Sequence, residues 1–198
     1  MANPVADHWN DKYQQERSLW LEMEPRHLLV SFIDLVPNKG LALDAACGVG
    51  INAIYLANHG LRVIGIDISE YALRLAMKQV KSLDHAIDFI VADLSHPWLP
   101  DEHFDLITNF HFLERGAIPV YRKALRQGGL IMFDTFMVTD KTVDSPNYYL
   151  KPGELKNMFK GFEIIHYSEE ERQPTQNRGA RGTAQIVARK PASVRAGG

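Results

Sequence analysis

The chain lacks most of what marks a secreted, membrane-spanning or nucleic-acid-wrapping protein. Its 198 residues include one cysteine, Cys47. That count excludes an internal disulfide and a cysteine-built metal cluster, and it leaves Cys47 as a small apolar residue within a glycine turn. No apolar run approaches the ~18 residues needed to span a bilayer. The opening MANPVADHWN has no charged-then-apolar signal pattern. Neither sign of charge dominates, since 22 basic residues face 24 acidic ones. The balance therefore gives no drive toward nucleic acid or a membrane surface. Internal repeats and a basic aromatic stripe are absent as well. The expectation is a cytoplasmic protein with neither nucleic acid nor membrane as partner and no bound metal; its oligomeric state stays open.

What is present is a regular alternation of strands and helices, the βαβα rhythm of an α/β fold with helices on both faces of a parallel sheet. The length suits one such domain. The densest stretch runs from Leu41 to Asp67 as LALDAACGVGINAIYLANHGLRVIGID. Leu41, Ala42 and Leu43 form a short apolar strand, and Gly48 and Gly50 permit a sharp turn with close approach to a ligand. A helix from about Ile51 to Asn58 follows, with its free N–H groups toward that ligand. Val63 to Ile66 form the next strand, which ends on Asp67. Further signals are a helix from Pro25 through Leu28, Leu29, Phe32, Ile33 and Val36, stopped by Pro37 and Gly40. Ser69 should cap a helix carrying Leu73, Met77 and Val80.

Gly48, Gly50 and Ala53 fit the dinucleotide fingerprint, with Asp67 near the spacing for an NAD ribose. Asp44 decides against that ligand. It stands four residues before Gly48 at the strand tip, where its charge would repel a pyrophosphate and attract the ammonium and sulfonium of S-adenosylmethionine. The strand Ile87 to Ala92 then delivers Asp93. Asp44, Asp67 and Asp93 thus match the amine, ribose and adenine amine of one ligand, with Ile68 and Leu94 sandwiching the ring.

These segments resemble those of the class I S-adenosylmethionine-dependent methyltransferases: LDAACGVG, GIDIS and VADL are similar to their first three motifs. Downstream, FDLITNFHFLER, LRQGGLIMFDTF, NYYLKPGELKNMFKGFEIIHYSEE and GTAQIVARK resemble the small bacterial tellurite-resistance and thiopurine-type group. The likeness covers most of residues 5 to 190. It implies a three-layer αβα Rossmann-like fold, with a mostly parallel seven-stranded sheet in the order 3-2-1-4-5-7-6 and an antiparallel last strand. It also implies methyl transfer from S-adenosylmethionine, which leaves S-adenosylhomocysteine. Ile51 departs from the arginine common in the tellurite-resistance branch, although Asn52 keeps the following asparagine. ERQPTQNRGARG lacks that branch's His-Arg pair, and its Arg172, Arg178 and Arg181 suit a solvated hairpin.

The expected boundaries are an aromatic N-terminal lid or helix over 1–24, the methyltransferase domain over 25–190 and a disordered tail over 191–198. Within the lid, Tyr13 and Trp20 are expected to touch the cofactor, as in relatives with a W-N-x-x-Y stretch. Ala46, Gly48, Gly50, Asn52, Asn109 and Phe110 complete the expected cofactor contacts. Chemistry is placed beyond the fourth strand, beside the loop Asn147, Tyr148, Tyr149. His111 is the candidate base, because its ordinary pKa is nearest neutrality. Tyr149 joins it, and Arg115 is the candidate substrate clamp. The expected acceptor is a small molecule: a thiol, a selenium or tellurium compound, or a carboxylate. Alternatives are an NAD-dependent oxidoreductase and a non-catalytic S-adenosylmethionine-binding module.

Overall fold

The computed structural model describes residues 3–80, 86–138, 148–172 and 181–192. Strands form where apolar runs alternate between two buried faces: β1 (Leu41–Ala45), β2 (Arg62–Asp67), β3 (Ile87–Val91), β4 (Phe104–Phe110), β5 (Leu125–Val138), β6 (Glu163–Arg172) and β7 (Arg181–Arg189). They build one seven-stranded sheet in the order β3-β2-β1-β4-β5-β7-β6. Pairings among β1 to β5 are parallel, and β7 runs antiparallel to both of its neighbours. Order, direction and layering agree with the expected class. Because β1 sends the chain to β2 on one side and later to β4 on the other, the crevice of the sheet opens at the carboxyl ends of β1 and β4.

Helices cover both faces: α1 (Pro4–Gln15), α2 (Arg17–Leu21), α3 (His27–Ser31), α4 (Ile51–Asn58), α5 (Glu70–Val80), α6 (Ala117–Ala124) and α7 (Glu154–Met158). Side-chain alternation along the strands divides the core. Leu43, Ala45, Ile107, Ile131 and Phe133 pack with α6 and α7. Ala42, Leu106, Phe110, Leu130 and Met132 pack with α3 and α4. By the same alternation Asp44, Thr108, Asp134 and Phe136 stand on the α3/α4 face. A smaller cluster of Tyr13, Val49, Ala72 and Leu75 seats α1 on α5.

The helix expected from Pro25 to Val36 is corrected to two pieces. α3 ends at Ser31, and a single 3-10 turn, Ile33–Leu35, carries the chain to β1. Leu28 and Leu29 are buried, whereas Phe32 and Ile33 only edge the core. Of the other expectations, Asn147, Arg178, the side chains of Arg172 and Arg181, and the tail from 193 lie outside the described residues. No helix among the described residues is long and apolar enough to cross a membrane.

Candidate functional site

Between β1 and α4 the chain makes a tight turn with three left-handed residues, Ala46 (φ 55°), Gly48 (φ 54°) and Gly50 (φ 80°). Gly50 has no alternative, since a Cβ there would lie 2.9 Å from Phe89 Cζ and 3.0 Å from Ala76 Cβ. Outside bonds hold the turn. Gln79 Nε2 donates to the Val49 carbonyl at 2.8 Å, and Cys47 N donates to the Ile66 carbonyl at 3.0 Å. Cys47 is buried, and that burial pushes its thiol well above the ordinary range, so it stays protonated filler.

The three strand-tip carboxylates have different surroundings. Asp44 is 1% exposed. Its Oδ1 accepts from Thr108 Oγ1 at 2.8 Å, while Oδ2 is buried with no hydrogen-bond partner among the described residues. Burial raises its pKa to about 7; the Thr108 bond and the nearby Ala53 N–H oppose that rise and Asp67 adds to it. Asp67 clasps two turns together, accepting from Gly48 N and Ser69 N, each at 2.8 Å. Burial raises its pKa and these backbone bonds oppose the rise. Acceptor capacity then remains for a ligand hydroxyl. Asp93 is exposed and accepts from Ser95 N at 2.8 Å, which holds its carboxyl below the usual range. Ile68 is half-buried. Leu94 is packed into the core on the α6 side.

The N-terminal helix lies over this turn. A Cβ at Gly48 would be 2.6 Å from the Tyr13 hydroxyl. Burial, with Asp67, Cys47 and Asp44 nearby, pushes the Tyr13 phenol far above its usual range, so it remains a neutral donor. Trp20 packs on Tyr13 with ring centroids 4.8 Å apart, and Lys12 sits over the Trp9 and Trp20 rings. Asn10, which the sequence did not flag, fastens the helix. Its Oδ1 accepts from Ser69 Oγ at 2.8 Å and from Tyr71 N at 3.0 Å. Ser69 Oγ in turn caps α5 by accepting from Ala72 N.

Past β4 the candidates separate. Asn109 is 1% exposed and uses its amide nitrogen on the Phe112 carbonyl at 2.7 Å. Phe110 belongs to the core on the α3/α4 face. His111 is exposed, left-handed (φ 58°) and stacked on Phe136 at 4.7 Å. Tyr149 reaches Phe136 from the other direction, with centroids 6.5 Å apart. Arg115, the expected substrate clamp, ties two elements together. Its Nε and Nη2 bind Glu154 at 2.6 and 3.0 Å, and Nη2 also donates to the Tyr149 carbonyl. Its fork holds α7 and residue 149, while 37% of the side chain stays exposed, on the wall of an open groove along α6.

Sequence reasoning missed a buried pair. Arg26, just before α3, reaches Asp134 of β5 at 2.6 Å, and its backbone N–H donates to Asn52 Oδ1 at 2.9 Å. The available signal was a lone carboxylate inside the apolar run LIMFDTF. An open groove of about 710 Å³, lined by Ile118, Pro119, Arg122 and Phe162, lies along α6 and contains none of the strand-tip carboxylates.

A glycine turn feeding a helix N-terminus, with carboxylates on consecutive strand tips, suits a cationic nucleoside rather than a dinucleotide. Residues 42–129 match the family model described as a methyltransferase domain. The chain is 27% identical over 184 residues to Probable thiol methyltransferase 2 of Arabidopsis thaliana, covering 86% of this chain and 80% of that protein. It is 31% identical over 137 residues to Phosphoethanolamine N-methyltransferase 3 of the same plant, spanning 65% of this chain but only 28% of that protein. The structure of TehB from Haemophilus influenzae superposes with a TM-score of 0.71 at 20% identity, over 92% of this chain and 67% of that one. Residues 42–129 thus carry a methyltransferase domain, and these likenesses support a class I S-adenosylmethionine-dependent methyltransferase with S-adenosylmethionine as its cofactor.

Proposed function

We propose that the protein is a cytoplasmic enzyme that methylates a small, soft nucleophile, a thiol or a related sulfur or selenium compound. The observation that carries the cofactor side is Asp44: a buried carboxylate whose Oδ2 has no hydrogen-bond partner among the described residues suits a cationic donor, and the ammonium of the methyl donor supplies one. The bound cofactor contributes a methyl group on a positively charged sulfur. Asp67 accepts from the ribose hydroxyls through its remaining lone pairs, Asp93 accepts from the adenine amine, and Ile68 flanks the ring. Ala46, Gly48 and Gly50 let the backbone approach, Asn52 opens the helix behind them, and Tyr13 with Trp20 excludes water from above. Residues 3–24 act as the lid.

The acceptor enters between the β4 tip and the N-terminal segment, bounded by His111, Phe136 and Tyr149. These walls are largely aromatic, which suits a polarizable sulfur nucleophile that needs alignment more than proton abstraction. The thiol methyltransferase relative supports the same acceptor class. Incubation with S-adenosylmethionine and a panel of aliphatic and aromatic thiols should yield methyl thioethers and S-adenosylhomocysteine. Turnover confined to amines or carboxylates would overturn the acceptor assignment.

A further inference from the structure

The cluster that Arg26 and Gln185 make around the buried Asp134 has no part in holding the cofactor as set out above. Arg26 Nη2 and Gln185 Nε2 both reach Asp134 Oδ2, at 2.6 and 3.4 Å. Asp134 is 1% exposed at its side chain and Arg26 24%. Two atoms of the pair, Arg26 Nε and Asp134 Oδ1, are buried with no hydrogen-bond partner among the described residues. A well-made internal ion pair leaves neither atom idle, because burial without a partner carries the full desolvation cost.

The position of the pair is set by register. Asp134 is level with Phe110, the last residue of β4, and Asp44 is level with Thr108 two residues earlier on that strand. Both carboxylates stand on the α3/α4 face with β4 between them. Two strand spacings and two residues of rise place them about 12 Å apart. That span is comparable with the reach from an amino group bound at Asp44, along a methionyl chain, to a nucleophile in line behind the methyl. His111 N donates to the Asp134 carbonyl at 2.7 Å, and the His111 ring stacks on Phe136, so the pair adjoins the acceptor wall.

We propose that Arg26 recognises the acceptor as an anion and so selects thiolates, with Asp134 as its positioning residue. This rests on the methyl-transfer reading. A guanidinium has five donors, and Asp134 engages only part of the fork. With the acceptor absent, Asp134 keeps the cation from being buried alone. With the acceptor present, the remaining donors face a negative sulfur and favour the ionised thiol. The sulfur then gains the methyl as the methyl–sulfonium bond breaks. The electron pair stays with the departing sulfur, and no proton moves in the step.

The test is calorimetric titration of benzenethiolate and of its neutral methylated form, thioanisole, into the full chain saturated with S-adenosylhomocysteine. Arg26→Gln should weaken benzenethiolate by at least about tenfold and leave thioanisole within about twofold. Arg26→Lys should recover part of the loss. Asp134→Asn, which keeps the cation, should preserve or tighten thiolate binding, and the double variant, which removes both charges, covers the case in which Arg26→Gln alone unfolds. Equal weakening of both probes, no weakening, or no thiolate binding by the unaltered chain would overturn the proposal. So would a loss confined to S-adenosylhomocysteine affinity, because Arg26 would then hold the cofactor's carboxylate. Arg26-dependent thiolate binding without turnover defeats the methyl-transfer reading instead, whereas turnover indifferent to Arg26 defeats only this one.

Discussion

Asp44 holds a carboxylate where water does not reach it, and burial lifts its pKa from 3.8 to about 7. The folded cofactor-free chain therefore keeps a proton that the unfolded chain has lost across that window. Stability without cofactor should fall as pH rises from about 4 to about 7 and level off above. If Asp44 holds the cofactor ammonium as proposed, binding displaces the same proton, so affinity for S-adenosylhomocysteine should weaken by about tenfold per unit as pH drops below about 7. Calorimetry between pH 5.5 and 8.5 checks this, with Asp44→Asn giving weaker and flatter binding; a flat profile for the unaltered chain would contradict it. Gly50 gives a second outcome at this scale. Its φ of +80° and the 2.9 Å approach of Phe89 make Gly50→Ala both strained and crowded. The loss should be about 2 kcal/mol or more, read by urea unfolding. Both residues were legible in the sequence, since a carboxylate before a glycine turn has a meaning that spacing alone conveys. Arg26 was not, because an exposed-looking charge ahead of a helix says nothing of a partner 108 positions away.

Among the elements, α1 is the one whose role depends on a fastening. The W-N-x-x-Y pattern made it a lid by resemblance, yet the attachment is Asn10 bound to the N-terminus of α5 through Ser69 Oγ and Tyr71 N. Because Ser69 N also donates to Asp67, the lid and the proposed ribose carboxylate share one turn. Asn10→Ala removes a capping acceptor supplied from outside the helix, at a cost of about 1 kcal/mol. Protease cleavage within Pro4–Leu21 should become faster, with protection partly restored by S-adenosylhomocysteine. Unchanged cleavage would mean that aromatic packing alone seats α1. α3 teaches the converse. Its apolar periodicity suggested a helix to Val36, but Phe32 and Ile33 meet only the edge of the core, so packing supports barely more than one turn.

For the whole molecule, the ligand and the fold should be linked, because the proposed cofactor site spans the tips of β1, β2 and β3 beneath the proposed N-terminal lid. S-adenosylhomocysteine at about a hundredfold over its Kd should add about 2.7 kcal/mol to stability. In a chain of this size that raises the melting temperature by roughly 5–10 °C. NADH should leave it unchanged, since Asp44 repels a pyrophosphate; a shift with NADH and none with S-adenosylhomocysteine would reverse the ligand assignment.

Local chemistry, written into the sequence, determined the strand–turn–helix unit, the three carboxylates and the α/β class, because each follows from residues within a few positions of one another. The sheet order came from likeness to a family rather than from periodicity, and the register of β4, β5 and β7 confirmed it. Only the tertiary structure decided that Arg115 ties down Glu154, that Asn10 fastens α1 to the start of α5 and that Arg26 meets Asp134. Those partners are 39, 59 and 108 residues apart. Contacts over such separations depend on how strands align side by side, a property of the packed sheet that no local pattern encodes.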